Sequence, residues 1–198
     1  MKCLVLLAGC GLGDGSCIEE VILTYVALDK YGCDYTPVAE WISVPAVNHL
    51  TEQAAEKRNV LLEAARIGRG RMQDICEIDF EEYDVLIIPG GIGLLNNYRD
   101  SDAIAACVTH FSSRKKPIAA MCAGIDFLRR FLGSELLKRE VEALPSDKFC
   151  VDTDSNVYYT PAFRKTSSCY TALLGIDSMI SALQRARTTH SAPFSAQC

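Results

Sequence analysis

The chain has 198 residues, of which 49% are hydrophobic and 23% are charged, as in ordinary soluble globular proteins. Its net charge of −5 gives no electrostatic reason to expect nucleic acid or a membrane surface as a partner. No apolar run approaches the roughly 18 residues that a membrane span needs. A chain of this length is expected to form one domain with a substantial buried core.

Apolar runs alternate with amphipathic segments along the whole chain. The patterns predict strands at 2–8, 35–39, 84–88, 117–121, 149–152 and 157–160, and helices at 17–31, 51–66, 101–111, 125–131 and 168–187. Ser16 and Glu19 have the spacing of a capping box for the first helix. The N-terminal run is interpreted as the first strand, because it is too short for a secretory signal.

The alternation predicts a three-layer α/β/α sandwich with a mostly parallel, flavodoxin-like sheet. Residues 1–187 are expected to form this single domain, and residues 188–198 a flexible tail. In such sheets, sites lie at the carboxyl ends of the strands. Three loops are expected there: "GCGLGDG" after the first strand, "PGGIG" after Ile88 and "CAG" after Met121. The first loop fits no G-x-G-x-x-G register, so a dinucleotide site is not predicted.

Cys122 lies where a strand is predicted to pass into a helix. The small residues Ala123 and Gly124 follow it, as required by a sharp turn that exposes a nucleophile. The N-terminus of the next helix favours a thiolate. The pattern alone is equally consistent with an inert, buried cysteine. The Pro-Gly-Gly turn at Gly91 and the N–H of Ala123 are together a candidate oxyanion hole.

The chain offers no obvious histidine base for Cys122. Only His190, in the predicted tail, follows Cys122, while His49 is interpreted as a cap or pocket residue. The remaining candidates are Glu19 and Glu20 on the first helix, which point about 100° apart, so that at most one faces the site. No C-x-x-C pair or zinc-spaced Cys/His cluster occurs among the cysteines. We therefore expect a reducing, cytoplasmic location and no metal or cofactor.

Several stretches resemble the class I glutamine amidotransferase-like, PfpI-type superfamily, and most closely its ElbB-like (enhancing lycopene biosynthesis) proteins. They are "LAGCGLGDGSCIEEVILT", "VNHLTEQAAEKRNVLLEAARIGRG", "DVLIIPGGIG", "KPIAAMCAG" and "VYYTPAF". The resemblance implies that Cys122 is the nucleophile, that Glu20 is its acidic partner and that Gly91 and Ala123 hold an oxyanion. It also implies a homodimer. Pocket roles are expected for Gly11, Asp14, His49, Asn96 and Thr160.

The expected activity is glyoxalase-like: conversion of small 2-oxoaldehydes such as methylglyoxal to 2-hydroxy acids without glutathione, through a Cys122 nucleophile. The alternative is a non-enzymatic, redox-responsive or chaperone-like protein with an oxidisable cysteine. A glutaminase subunit is disfavoured by the lack of a suitable histidine. The segment after Cys122 is also shorter than in the proteins it resembles, and Asn96 stands where they tend to have lysine.

Overall fold

The fold is built on a seven-stranded, mostly parallel sheet. A computed structural model describes residues 1–191, with side chains described to residue 187. The strands of the main sheet, in the order β5-β2-β1-β6-β7-β9-β8, are β1 (Lys2–Leu6), β2 (Asp34–Ala39), β5 (Gln73–Asp74), β6 (Val85–Ile88), β7 (Ile118–Met121), β8 (Cys150–Asp152) and β9 (Val157–Thr160). Only β8 within this sheet runs antiparallel to its neighbour. β3 (Ser43–Val47) and β4 (Ala54–Asn59) form a separate antiparallel hairpin.

Helices cover both faces of the main sheet, which confirms the predicted three-layer α/β/α architecture. They are α1 (Ile18–Lys30), α2 (Val60–Ile67), α3 (Gly93–Asn97), α4 (Asp102–Ser113), α5 (Gly124–Leu132), α6 (Lys138–Ala143) and α7 (Cys169–Ser191). Helices α1 and α7 pack against each other, as do α4 and α5. Right-handed crossovers place these two pairs on opposite faces.

The central strands form the core and were predictable from their composition. Every residue of β6 and β7 is buried, and β1 is buried from its second residue onward. Strands covered on both faces read as continuous apolar runs rather than as alternating patterns. Because these strands are fixed by burial on both sides, the loops that follow them are held in place at one edge of the sheet.

The predicted helix over 51–66 is wrong in its first half. Residues Ala54–Asn59 pair with Ser43–Val47 as a β-hairpin, and the helix begins only at Val60. The Asn59 side chain accepts a hydrogen bond from the Leu62 N–H at 3.0 Å, which caps the helix at that point. The strand residues are strong helix formers, so cross-strand pairing has overridden their local preference.

The predicted capping box at Ser16 is also wrong. Helix α1 has Cys17 as its N-cap with no side-chain cap, and Ser16 is buried with its hydroxyl accepting from the Ala8 N–H at 2.9 Å. At the other end of the chain, α7 continues to Ser191, beyond the predicted end at Arg187. Residues 192–198 of the predicted tail lie outside the described part. Within residues 1–191, no helix is long and apolar enough to span a bilayer.

Candidate active site

Four chain segments meet at the carboxyl edge of the main sheet. They follow β1, β6, β7 and β9, and the residue directly after β7 is linked to the last residue of β9 because the Cys122 N–H donates to the Thr160 carbonyl at 3.2 Å. The loop after β1 is linked to the loop after β6, since the Cys17 N–H donates to the Gly90 carbonyl at 2.8 Å. The sheet topology therefore brings together residues that lie far apart in the sequence.

Cys122 stands on a strained strand-to-helix turn, as predicted. Its φ of +46° lies in the left-handed region, which costs a non-glycine residue about 1–2 kcal/mol. Helix α5 begins two residues later, and Gly124 is required there because a Cβ would lie 2.8 Å from the Ile88 carbonyl oxygen. The thiol is only partly buried. This turn holds the sulfur at the edge of the sheet rather than inside the core.

Glu20 is the acidic residue of α1 that faces the site, whereas Glu19 is exposed to solvent. One carboxyl oxygen of Glu20 accepts from the Gly90 N–H at 2.6 Å, and the other accepts from the Phe163 N–H at 3.3 Å. The Cys122 side chain lies next to this carboxyl group, since a Cβ on Gly90 would lie 2.5 Å from Glu20 Oε2 and 2.8 Å from Cys122 Cβ. The thiol also lowers the pKa of Glu20. Three segments of the chain therefore fix the carboxyl group beside the sulfur, although it has no solvent exposure.

The surroundings of Cys122 favour a neutral thiol over a thiolate, a choice that the sequence pattern alone had left open. Burial, together with the negative charge of Glu20, raises the pKa of Cys122 to about 12, and the Ala123 N–H and Arg164 only partly oppose this. Burial likewise raises the pKa of Glu20 to about 7, although three hydrogen bonds favour its ionised form. Because the pKa of Cys122 is higher than that of Glu20, the carboxyl group loses its proton first as the pH rises, and the thiol keeps its own proton. A carboxylate with a pKa near neutrality is suited to act as a general base.

The two predicted oxyanion donors come from different segments, since Gly91 lies in the loop after β6 and Ala123 directly follows Cys122. The Ala123 N–H lowers the pKa of the Cys122 thiol, while the Gly91 N–H donates to no acceptor among residues 1–191. The neighbouring Gly90 N–H is occupied by Glu20. One backbone donor is thus unused at this edge, and a role for Gly91 and Ala123 in holding an oxyanion stays a prediction.

Gly11, Asp14 and His49 join the glycine-rich loop to the β3–β4 hairpin. The Gly13 N–H donates to His49 Nε2 at 3.1 Å, and Asp14 accepts from the Val47 N–H at 2.7 Å. His49 Nδ1 lies 3.0 Å from the Val47 carbonyl oxygen, which places the ring proton on Nδ1. Gly11 has a φ of +125°, and a Cβ there would lie 2.7 Å from the imidazole. These contacts indicate a structural role for Gly11, Asp14 and His49, which hold the loop and the hairpin together.

Replacing His49 by alanine is expected to leave the rate of the predicted glyoxalase-like reaction within about twofold of wild type. It is also expected to lower the free energy of unfolding by about 1 kcal/mol. The reason is that the variant loses the hydrogen bond from Gly13 and the contact to Val47, both at the protein surface. Urea unfolding and a turnover assay measure the two effects. A large loss of turnover without loss of stability would instead support the predicted pocket role.

Asn96 and Thr160 do not present their side chains to Cys122. Asn96, on α3, lines a cavity of about 240 Å³ together with Glu40 and Arg99. Thr160 is buried, and its hydroxyl donates to the Lys148 carbonyl at 2.8 Å, so its contribution to the site is the backbone carbonyl that holds Cys122. Pocket roles for both side chains have no supporting contact within the described part of the chain.

The residues after β9 were missed by the sequence interpretation. Phe163 supplies the second N–H to Glu20, and the Arg164 guanidinium donates to the Cys122 carbonyl at 3.3 Å and forms an ion pair with Asp126 on α5. A signal was available, since a basic residue closely following a predicted buried strand is expected at the same sheet edge as Cys122. Arg164 is the cation that acts on the Cys122 thiol.

The fold and the strained cysteine turn define a class I glutamine amidotransferase-like domain. A sequence model of the DJ-1/PfpI family matches residues 13–135, so the chain belongs to the DJ-1/PfpI family. The solved structure of an Ehrlichia chaffeensis isoprenoid biosynthesis protein with an amidotransferase-like domain superposes with a TM-score of 0.84 at 30% identity, covering 93% of this chain and 98% of that one. Because it covers 93% of the chain, this likeness extends beyond the residues that the family model matches.

Two curated relatives are similar over a shorter region. They are the rat (Rattus norvegicus) "ES1 protein homolog, mitochondrial" and the human (Homo sapiens) "glutamine amidotransferase-like class 1 domain-containing protein 3, mitochondrial". Each is 29% identical over 131 residues, which is 60% of this chain and 49% of the relative. The chain therefore spans about half the length of the curated relatives that it matches.

Proposed function

We propose that the protein is a glutathione-independent, glyoxalase-like enzyme that converts small 2-oxoaldehydes, such as methylglyoxal and glyoxal, to 2-hydroxy acids. The observation that carries this proposal is the contact between the Cys122 thiol and the Glu20 carboxyl group, whose pKa is raised to about 7 by burial. The pair supplies a nucleophile and a base in one place. Membership of the DJ-1/PfpI family supports the proposal, and the ElbB-like group is the proposed subfamily.

In the first step, the Cys122 sulfur bonds to the aldehyde carbon while Glu20 takes the thiol proton. Glu20 passes that proton to the new oxyanion, which yields a hemithioacetal and restores the carboxylate. The N–H groups of Gly91 and Ala123 are the proposed donors to the developing oxyanion. A thiol that is ionised only as it attacks needs no stable resting thiolate, so the raised pKa of Cys122 is compatible with this step.

In the second step, Glu20 removes the hydrogen on the former aldehyde carbon as a proton. The electron pair forms a carbon–carbon double bond, and the neighbouring oxygen takes the negative charge. Glu20 returns the proton to the second carbon while a hydroxyl proton passes from the first oxygen to the second, which gives a 2-hydroxy thioester. Water then cleaves the carbon–sulfur bond and releases the acid and the Cys122 thiol, so that no electron donor or acceptor is consumed.

The test is lactate formation from methylglyoxal by the purified chain without glutathione, followed as Cys122 is blocked by iodoacetamide. We expect activity to fall in proportion to the alkylation of Cys122, as measured by mass spectrometry. The peptide containing Cys33 is the internal control, because a hydrogen bond from the Cys3 thiol lowers the pKa of Cys33 to about 7. Activity that follows Cys33 labelling, or no lactate above a heat-denatured control, contradicts the proposal.

The non-enzymatic alternative is favoured by one observation, the partial exposure of the Cys122 thiol beside the Ala123 N–H and Arg164. Such donors would stabilise a sulfinate formed by peroxide, with both added oxygens coming from the oxidant. Gain of two oxygens at Cys122 in a protein that turns over no 2-oxoaldehyde would support this alternative. The homodimer and the aldehyde partner stay proposals. The cytoplasmic location also stays a proposal, since both curated relatives carry "mitochondrial" in their names.

A further inference from the structure

A fully buried tyrosine hydroxyl beside the candidate site has no hydrogen-bond partner. Tyr159 on β9 has no solvent exposure, and its hydroxyl finds no acceptor or donor among the described residues. In register, Tyr159 lies beside Ala120 of β7, two residues before Cys122. A buried polar group without a partner costs stability, so its presence needs an explanation such as a ligand.

Arg164 lies close to the same hydroxyl. The phenol of Tyr159 and the guanidinium of Arg164 act on each other electrostatically, and both act on the Cys122 thiol. The Arg164 side chain is 29% exposed, and its contacts to the Cys122 carbonyl and to Asp126 hold it at the turn. Arg164 therefore places a cation at the Cys122 turn from the β9 side, and the Tyr159 hydroxyl lies within electrostatic range of both residues. The Gly91 N–H lies in the loop after β6.

We propose that Arg164 and Tyr159 bind the second oxygen of a vicinal dicarbonyl substrate, the oxygen on the carbon next to the aldehyde. This inference rests on the proposed function, because that oxygen takes the negative charge when Glu20 removes the proton. The guanidinium is a charged hydrogen-bond donor and the phenol is a neutral one. Hydrogen bonds from both groups strengthen as negative charge develops on the oxygen. They select 2-oxoaldehydes over simple aldehydes, which lack this oxygen and would leave both donors unpaired.

Asp126 neutralises only part of the positive charge of Arg164. Its carboxylate is shared, because one oxygen accepts from Arg129 at 2.9 Å and the other faces Arg164. Lys165, the next residue, points elsewhere, with its ammonium group donating to the Leu144 carbonyl at 3.2 Å. Lys165→Gln is thus a matched control, since it removes one positive charge from the adjacent position without touching Cys122.

The first test needs no turnover. The rate of Cys122 alkylation by the anionic reagent iodoacetate is divided by the rate with neutral iodoacetamide in each variant. We expect Arg164→Gln to lower this ratio roughly three- to tenfold because a cation near the sulfur attracts the anionic reagent. Arg164→Lys keeps most of the ratio, and Lys165→Gln leaves it nearly unchanged. Equal ratios in Arg164→Gln and wild type overturn the inference.

The second test separates ligand binding from structural support. Tyr159→Phe deletes a buried hydroxyl that has no hydrogen-bond partner among the described residues, so its thermal midpoint should equal or exceed that of wild type. Turnover of methylglyoxal should nevertheless fall about tenfold, as expected on losing one hydrogen bond to a charged transition state. Tyr158→Phe, on the neighbouring and partly exposed residue, is the control with full activity. A Tyr159→Phe variant that loses stability, or keeps full turnover, contradicts the inference.

The outcomes distinguish this inference from the proposed function. If wild type forms lactate while Arg164→Gln and Tyr159→Phe do so equally well, the second-oxygen role fails and the proposed function stands. If wild type forms no lactate, the proposed function fails. The alkylation ratio then decides alone whether Arg164 provides a binding position for an anionic oxygen at Cys122.

Discussion

Replacing Glu20 by glutamine is expected to lower lactate formation from methylglyoxal about 10²- to 10⁴-fold, the usual contribution of a general base. Glutamine keeps the size of the side chain but cannot take the thiol proton or the substrate proton. Wild-type kcat/KM should rise with pH through about 7, where the buried Glu20 carboxyl ionises, and the variant should lose this rise. The measurement is a pH series of initial rates. Retention of the same pH dependence in Glu20→Gln would assign it to another group.

The same substitution changes the pH dependence of stability. Glu20 has its pKa raised from 4.5 to about 7 in the fold, so between these values the folded chain binds a proton that the unfolded chain has lost. The free energy of unfolding of wild type is therefore expected to fall by about 3 kcal/mol as pH rises through this window. Glu20→Gln removes that fall. Urea unfolding at pH 5 and pH 8 measures the difference.

The control for both effects is Glu19→Gln. Glu19 is the preceding residue of the same helix and is exposed to solvent, so this variant makes the same chemical change outside the site. We expect it to keep wild-type turnover and the wild-type dependence of stability on pH. Glu20→Gln should itself cost about 1–3 kcal/mol at alkaline pH, since one of the N–H groups of Gly90 and Phe163 would face an amide NH₂.

Replacing Gly91 by alanine is expected to destabilise the fold by about 4 kcal/mol or more, the range of exceptional single substitutions. A Cβ there would lie 2.2 Å from the Gly15 carbonyl oxygen and 2.8 Å from the Cys17 nitrogen, both of them backbone atoms that cannot rotate away. The φ of +131° adds strain to this clash. Soluble yield and urea unfolding measure the effect.

Gly133→Ala separates the clash from the strain. Gly133 has a comparable φ of +107°, but a Cβ there would meet nothing within 4 Å. We expect this variant to lose only about 1–3 kcal/mol, the cost of the backbone conformation alone. If both glycine variants are equally destabilised, the close approach of the two loops does not contribute, and the contact between Gly91 and Gly15 is not important for the fold.

The central strands and the cysteine turn were predictable because burial on both faces leaves a continuous apolar run. The β3–β4 hairpin was not, since residues 54–59 favour a helix locally and only the pairing with β3 decides their structure. The lack of a suitable histidine left Glu19 and Glu20 as candidate partners, helix geometry allowed at most one of them to face the site, and the resemblance chose Glu20. The charge of the Cys122 sulfur was left open by the sequence, which shows the helix N-terminus but not the desolvation that outweighs it.

Tyr159 and Arg164 illustrate what sequence patterns miss. Their relation to Cys122 depends on β7 and β9 being neighbours, a pairing between strands separated by more than thirty residues. It also depends on Ala162, whose φ of +45° turns the chain back towards the site. Nothing in local periodicity reports a left-handed alanine, so the sequence pattern places Arg164 at the same sheet edge as Cys122 but does not predict their contact.

The amide of Gly90 has a consequence for engineering this protein. It is a main-chain group, so among ordinary substitutions at position 90 only proline would delete its hydrogen bond to Glu20, and other folded variants that retain Glu20 keep the same restraint on the basicity of that carboxyl group. Selection for work at a different acidity would have to act through the surroundings of the carboxyl group. Chemical synthesis with an ester in place of that one peptide bond would expose how much the restraint contributes.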